Sequence, residues 1–152
     1  MSDNLSNRLK AAASLVRGGG ILADIGTDHG YVPVYLVKNG IVKSAIAADI
    51  NKMPLENAAK AVRESGLCDK IQLRLSDGLK NLKEGEADEF FIAGMGGTLI
   101  SEILSSSIWV KNSAYHFVFS RKAGLKSFGS IFLITALKLN AKRLFQKAGG
   151  IT

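Results

Sequence analysis

Apolar and polar positions alternate in two rhythms along this chain. Leu5, Leu9, Ala12, Ala13 and Val16 recur at intervals of three and four. That spacing predicts an amphipathic helix over residues 5–17, stopped by the three glycines at 18–20. The next segment, ILADIG at 21–26, is short, apolar and closed by glycine, which predicts a buried strand. YVPVYLVKNG then reads as a helix with Pro33 in its first turn and Gly40 past its end. The two rhythms repeat: a strand at 44–50 (SAIAADI), a helix at 54–66 opened by Pro54 and closed by Gly66, and a strand at 71–78. A fourth strand follows at 87–96, a helix at 98–106 and a fifth strand at 114–120.

Strands that are apolar throughout, alternating with helices, predict an α/β fold, a mostly parallel sheet covered by helices on both faces. In such sheets ligands bind beyond the carboxyl ends of the strands. Those ends are where the chain turns polar or glycine-rich. After the first strand stand Asp24, Gly26, Thr27, Asp28, His29 and Gly30. The second ends at Asp49 and Ile50, the third at Ser76, Asp77 and Gly78, and the fourth at Ala93, Gly94, Met95, Gly96 and Gly97.

Counting glycines separates the cofactor classes. A dinucleotide turn, G-x-G-x-x-G, begun at Gly26, needs glycine at 28 and 31, where the chain has Asp28 and Tyr31. An acid-x-G-x-G-x-G turn fits better, with Asp24, Gly26 and Gly30 in place and Asp28 at the middle glycine. Pyrophosphate binding calls for close backbone approach and a positive helix end, and acids at 24 and 28 oppose it. S-adenosylmethionine carries an ammonium and a sulfonium and no phosphate, so the same acids suit it. Asp49 is placed to accept ribose hydroxyls, and Asp77 to accept the adenine amine, with Gly78 and Leu79 at the ring. Structural roles compete with each of these: glycines that only permit a tight turn, and Asp28 as a helix cap.

The segments ADIGTDHGYVP (23–33), PLENA (54–58), LSDGL (75–79), GEADEFFIAGMGGTLI (85–100) and the leading LSNRLKAAASLV (5–16) together resemble the bacterial tRNA (adenine-22-N1)-methyltransferase family. The resemblance covers about residues 5–120. It implies a Rossmann-like class I methyltransferase fold, S-adenosyl-L-methionine as cofactor, a tRNA partner, and methyl transfer to N1 of an adenine. The Asn/Asp-Pro-Pro-aromatic tetrapeptide common in class I enzymes is absent, and AGMGG stands in its place, as in the family. The implied cofactor-binding set is Asp24, Gly26, Thr27, Asp28, Gly30, Asp49, Ile50, Asp77, Gly78, Ala93 and Gly94. His29, Tyr31 and Met95 are the candidate catalytic residues, His29 and Tyr31 to stack on or hydrogen-bond the adenine and Met95 in the flexible turn that it approaches. Methyl transfer needs no metal, so a metal site at Asp24, Asp28 and His29 is not expected. A non-catalytic relative that binds only cofactor or RNA, and an enzyme of the same fold with another substrate, are the alternatives.

Composition changes this picture at one end. The formal net charge is +7, yet residues 1–120 hold 13 Lys and Arg against 13 Asp and Glu. Residues 121–152 hold seven Lys and Arg and no acid. The resemblance stops at the same point, which divides the chain into a cofactor-binding domain at 1–120 and a basic tail at 121–152. Two explanations compete: a basic segment that contacts RNA phosphates, and an out-of-frame or truncated terminus, leaving the sheet without its last strands. The coincidence of the two boundaries favours the second. The chain has no apolar run of membrane-spanning length and a polar N-terminus. Its single cysteine, Cys68, excludes an internal disulfide, so a cytoplasmic setting is expected. Trp109 is expected to pack near the fifth strand.

Overall fold

The computed structural model describes residues 5–111 and 115–120, and residues 131–136 as backbone. It contains four helices, α1 (Asn7–Ala13), α2 (Tyr31–Lys38), α3 (Lys52–Glu64) and α4 (Gly97–Ser105), and six strands. These are β1 (Ile21–Ile25), β2 (Ser44–Asp49), β3 (Ile71–Leu75), β4 (Glu89–Ala93), β5 (Tyr115–Ser120) and β6 (Ile131–Ala136). The strand order is β3-β2-β1-β4-β5-β6. The first five strands are parallel, and β6 runs antiparallel to β5.

Period-two alternation builds two cores. Ala23, Ile25, Ile46, Ala48, Phe90, Ile92, Phe117 and Phe119 point to the face covered by α4 and a 3-10 turn at Ile108–Lys111. Leu22, Ala45, Ala47, Phe91 and Val118 point to the other, against residues of α1, α2 and α3. Burial of both faces is what makes β1, β2, β4 and β5 apolar at nearly every position. Phe90 joins the two ends of the first core: its ring lies 5.1 Å from Phe117 and 5.8 Å from Trp109, and Trp109 lies 5.4 Å from Tyr115. Trp109 is thus a packing residue beside β5.

The structure departs from the sequence pattern in three places. Helix α1 ends at Ala13, because the Ser14 hydroxyl bonds the Ala11 carbonyl and the next amides tighten to i→i+3 bonds. Helix α3 starts two residues before Pro54, which sits in the first turn, where its missing N–H has no partner to lose. Strand β6 lies in the segment that composition set apart, where the sequence reading placed no strand. Its pairing runs from Ser120 opposite Ile131 to Tyr115 opposite Ala136. The rest of residues 121–152 lies outside the described residues.

At the amino-terminal end of the sheet a buried carboxylate ties three segments together. Glu89 accepts the backbone N–H of Arg17 at 2.9 Å and of Gly18 at 2.6 Å, and the His116 ring nitrogen Nδ1 at 2.6 Å. It holds the glycine turn before β1 against β4 and β5, far from the carboxyl ends.

Candidate active site

The carboxyl ends of β1, β2 and β4 converge on the turn after β1. The backbone N–H groups of Gly26 and Thr27 both donate to the Ala48 carbonyl at 2.9 Å, extending the β1–β2 pairing one step past the strand. The chain then reverses through three left-handed positions: Gly26 (φ 75°), Asp28 (φ 56°) and Gly30 (φ 71°). Asp28 is the single non-glycine residue in that region among those described. Such a conformation in a residue with a side chain costs on the order of 1 kcal/mol, and it is held by the Asp28 N–H, which donates to Asp49 Oδ2 at 3.2 Å. The other Asp49 oxygen accepts the N–H of Asn51 at 3.0 Å. Two amides therefore aim the carboxylate, and each oxygen retains a lone pair for a ligand hydroxyl.

Asp24 is buried at 3 % exposure, one residue before the end of β1. Burial is the main cause of a pKa raised to about 7. The carboxylates of Asp49 and Asp28 push in the same direction, against the nearby Thr27 hydroxyl. That hydroxyl favours the charged carboxyl; it is buried, and among the described residues it has no partner within strict hydrogen-bond geometry. A buried carboxyl with a raised pKa beside a buried hydroxyl forms a site prepared for a cationic or hydrogen-bonding ligand group.

The other expected residues divide. Asp28 does not cap α2: Gly30 is the cap residue, and the Asp28 side chain is exposed, 3.7 Å from His29 Nε2. The rings of His29 and Tyr31 stack at 5.2 Å with an 18° tilt, at the mouth of the same turn. Gly30 has a packing reason of its own, since a Cβ there would stand 2.9 Å from Cβ of Ala58 on α3. Gly78 has one too, with Ile103 at 3.0 Å. Asp77 is exposed and paired with Lys80 at 2.8 Å. Leu79, expected at an adenine ring, is fully buried in the core; its side chain serves packing. Ile50 is exposed beside Asp49. Ala93 ends β4, and the N–H of Gly94 donates to the Ser120 carbonyl at 2.8 Å, anchoring the glycine-rich turn to β5. Met95 reaches from that turn to Gly26. Sequence reasoning missed Ala48 and Asn51, which act through their backbone and so leave no side-chain signal.

A separate cavity of about 380 Å³ opens at the opposite end of the sheet, lined by Ile21, Ser44, Cys68, Lys70 and Glu86 among others. It lacks the left-handed turn and the buried acid, and Glu86 there is held by Arg74 at 2.6 Å. Among the described residues no three His, Cys, Asp or Glu side chains are grouped to hold a metal.

The sequence profile of the methyltransferase domain family matches residues 5–150. The chain belongs to that family. Its five parallel strands with helices on both faces are the Rossmann-like fold of class I methyltransferases. The chain is 46 % identical over 102 residues to the tRNA (adenine(22)-N(1))-methyltransferase of Bacillus subtilis, covering 67 % of this chain and 43 % of that enzyme. The crystal structure of the B. subtilis tRNA methyltransferase TrmK superposes with a TM-score of 0.73 at 39 % identity, covering 79 % of this chain and 51 % of that one. Streptococcus pneumoniae Sp1610, solved in complex with S-adenosyl-L-methionine, superposes with a TM-score of 0.72 at 40 % identity, covering 77 % of this chain and 55 % of the other. The chain thus spans about half the length of these relatives. The family match runs past residue 120, through β6. Among the described residues no helix is long and apolar enough to cross a membrane.

Proposed function

We propose that this methyltransferase domain binds S-adenosyl-L-methionine at the β1 turn and serves methyl transfer to N1 of an adenine in tRNA. The observation that carries the reading is the set of groups at that turn. Asp24 is buried and carries a raised pKa, the Thr27 hydroxyl beside it has no partner among the described residues, and Asp49 is aimed by two amides. These groups fit the cofactor's cationic and hydroxyl-bearing parts, and no phosphate-binding arrangement is needed. The resemblance to the tRNA (adenine(22)-N(1))-methyltransferase of B. subtilis supports the substrate.

When bound, the cofactor would supply a methyl group on a sulfonium: the lone pair of an unpaired adenine N1 would attack the methyl carbon, and the carbon–sulfur bond pair would leave with sulfur as a neutral thioether. The rest is done by residues of this chain. Asp24 and Thr27 hold the ammonium side, Asp49 with Ile50 the ribose and its ring, and Asp77 the adenine amine, shared with Lys80. Gly26, Asp28, Gly30 and Gly78 shape the turns around it. Ala93, Gly94 and Met95 flank the methyl, where the base must be brought into line. His29 and Tyr31 offer a stacked aromatic face for that base, which must leave its own stack to expose N1. The carboxylates nearby favour the cationic methylated product.

We place the activity in the cytoplasm, with residues 1–120 carrying cofactor binding. The test is two-stage. Calorimetric titration with S-adenosylhomocysteine and with NADH is expected to show binding of the first alone; binding of NADH alone ends the methyltransferase reading. Incubation with unmodified tRNA and labelled cofactor is expected to label an adenine that arrests primer extension. Because the chain spans about half its relatives' length, cofactor binding with no labelled tRNA favours the alternative, a relative that binds without turning over.

A further inference from the structure

We propose that Met95 is a retractable cover over the β1 turn, its ε-methyl lying on Gly26 until a ligand displaces it. A Cβ built on Gly26 would stand 2.6 Å from Met95 Cε, and apart from Gly26 and its two chain neighbours no other described atom lies within 4 Å of it. The space above Gly26 is therefore open except for one methyl group. That space is the approach that a glycine in a left-handed turn leaves to a ligand. Met95 arrives from the end of β4, and the rest of its side chain is half-buried against the core of the α4 face. Its main chain is tied on both sides, the Gly94 N–H donating to the Ser120 carbonyl at 2.8 Å and the Gly96 carbonyl accepting the Ile100 N–H at 3.1 Å, so the movement is one of side-chain rotation. The side chain itself is unbranched and adaptable. A thioether that fills an otherwise open approach can leave it by turning about its own side-chain bonds.

The cover rests on the reading that the cofactor binds at this turn. It makes the open form the binding-competent one, so the apparent dissociation constant exceeds the intrinsic one by the inverse of the open fraction. Removing the cover must then tighten binding. Met95→Leu keeps an apolar side chain against the core but ends one atom short of Gly26; Met95→Ala removes the reach altogether.

The test uses the full chain with ¹³C-methyl-labelled methionine. In the free protein a nuclear Overhauser contact between the Met95 ε-methyl and the Gly26 α-protons is expected, lost at saturating S-adenosylhomocysteine. Both variants, checked for an unchanged fold by thermal melting, are expected to bind S-adenosylhomocysteine about threefold tighter or more, the inverse of a minority open fraction. Binding in which the contact persists, or equal or weaker binding by both variants, overturns the cover and leaves the cofactor reading standing. Failure of the folded wild type to bind S-adenosylhomocysteine overturns both.

Discussion

The backbone N–H of Asp28 donates to the Asp49 carboxylate across 3.2 Å, tying the turn after β1 to the end of β2. One carboxylate thereby stabilises a left-handed aspartate and presents its oxygens to a ligand. Replacement by alanine removes both functions. Hydrogen bonds to a charged group are worth about 1.5–3 kcal/mol, so Asp49→Ala is expected to weaken S-adenosylhomocysteine binding by roughly ten- to a hundredfold. Calorimetry reads that loss. A melting temperature lowered by a few degrees should accompany it, since the turn loses its restraint.

Asp24 makes both stability and binding depend on pH. Its folded pKa, about 7, lies above the ordinary value of 3.8 because of burial first. Between those values the folded protein holds a proton that the unfolded chain has released, so stability falls as pH rises from about 4 to about 7 and is flat above. Asp24→Asn should remove that part of the slope, seen by comparing urea unfolding of the two proteins at pH 5 and pH 8. A cationic ligand group beside Asp24 favours the ionised form. Binding is then expected to release a proton near neutral pH and to tighten as pH rises toward 8. Titrations in buffers of different ionisation enthalpy measure that release directly.

Gly30 and Gly40 separate packing from backbone strain. Both are left-handed, at φ 71° and 69°, but only Gly30 faces a neighbour: Ala58 stands 2.9 Å from its absent Cβ, while nothing approaches Gly40. Gly40→Ala carries strain alone, on the order of 1 kcal/mol. Gly30→Ala adds a clash between α2 and α3 and should cost about 1–3 kcal/mol more. Equal losses in denaturant unfolding would show that helix packing at Ala58 places no demand on residue 30.

Much of this fold was legible in the sequence because double-sided burial leaves a plain record. Phe90–Ile92 is apolar on both faces, and the acids at 24, 49 and 77 stand out against such runs. The candidate site was legible as a set of strand ends, since a parallel sheet brings those ends to one edge. What each residue does there was less so. Leu79 and Asp77 are neighbours in sequence, yet one is sealed in the core and the other lies in solvent, a difference set by how the chain bends after β3. The placement of Met95 on Gly26 joins residues that are remote in sequence and needed the completed sheet. Strand β6 was passed over for another reason: IFLITA at 131–136 is an apolar, β-prone run, but the change of composition at residue 121 set the whole segment apart as a basic tail.

Glu89 was equally silent, an ordinary acid at the start of a strand. It accepts three hydrogen bonds within a buried setting, including that of His116. Removing it takes away the carboxylate to which the Arg17 and Gly18 amides and the imidazole are bonded. A buried donor left unsatisfied costs about 1–3 kcal/mol, and two amides and an imidazole meet this one carboxylate, so Glu89→Ala should melt far below the wild type. Glu89→Gln, which can still accept from an amide, should fall between. At a temperature where each variant is folded, cofactor affinity should be unchanged, because the clamp lies at the amino-terminal end of the sheet. A variant that folds fully yet binds ten times more weakly would contradict the separation of the two ends.

The stacked pair of His29 and Tyr31 gives the sharpest division between binding and turnover. Their rings lie parallel at 5.2 Å beside the β1 turn, and neither supplies an acceptor that the cofactor requires. Base stacking on an aromatic side chain is worth about 1–3 kcal/mol. Tyr31→Ala is accordingly expected to lower methyl transfer to tRNA by about five- to a hundredfold at subsaturating tRNA, with S-adenosylhomocysteine affinity unchanged. Tyr31→Phe keeps the ring and should keep most of the rate; loss as large as in the alanine variant would move the role from the ring to the hydroxyl. His29→Ala removes the outer member of the stack, and a smaller loss is expected. Single-turnover transfer to unmodified tRNA, run beside calorimetry on the same proteins, measures both quantities. Weakened cofactor binding in all three variants would place the pair in the cofactor pocket instead of on the face that receives the base.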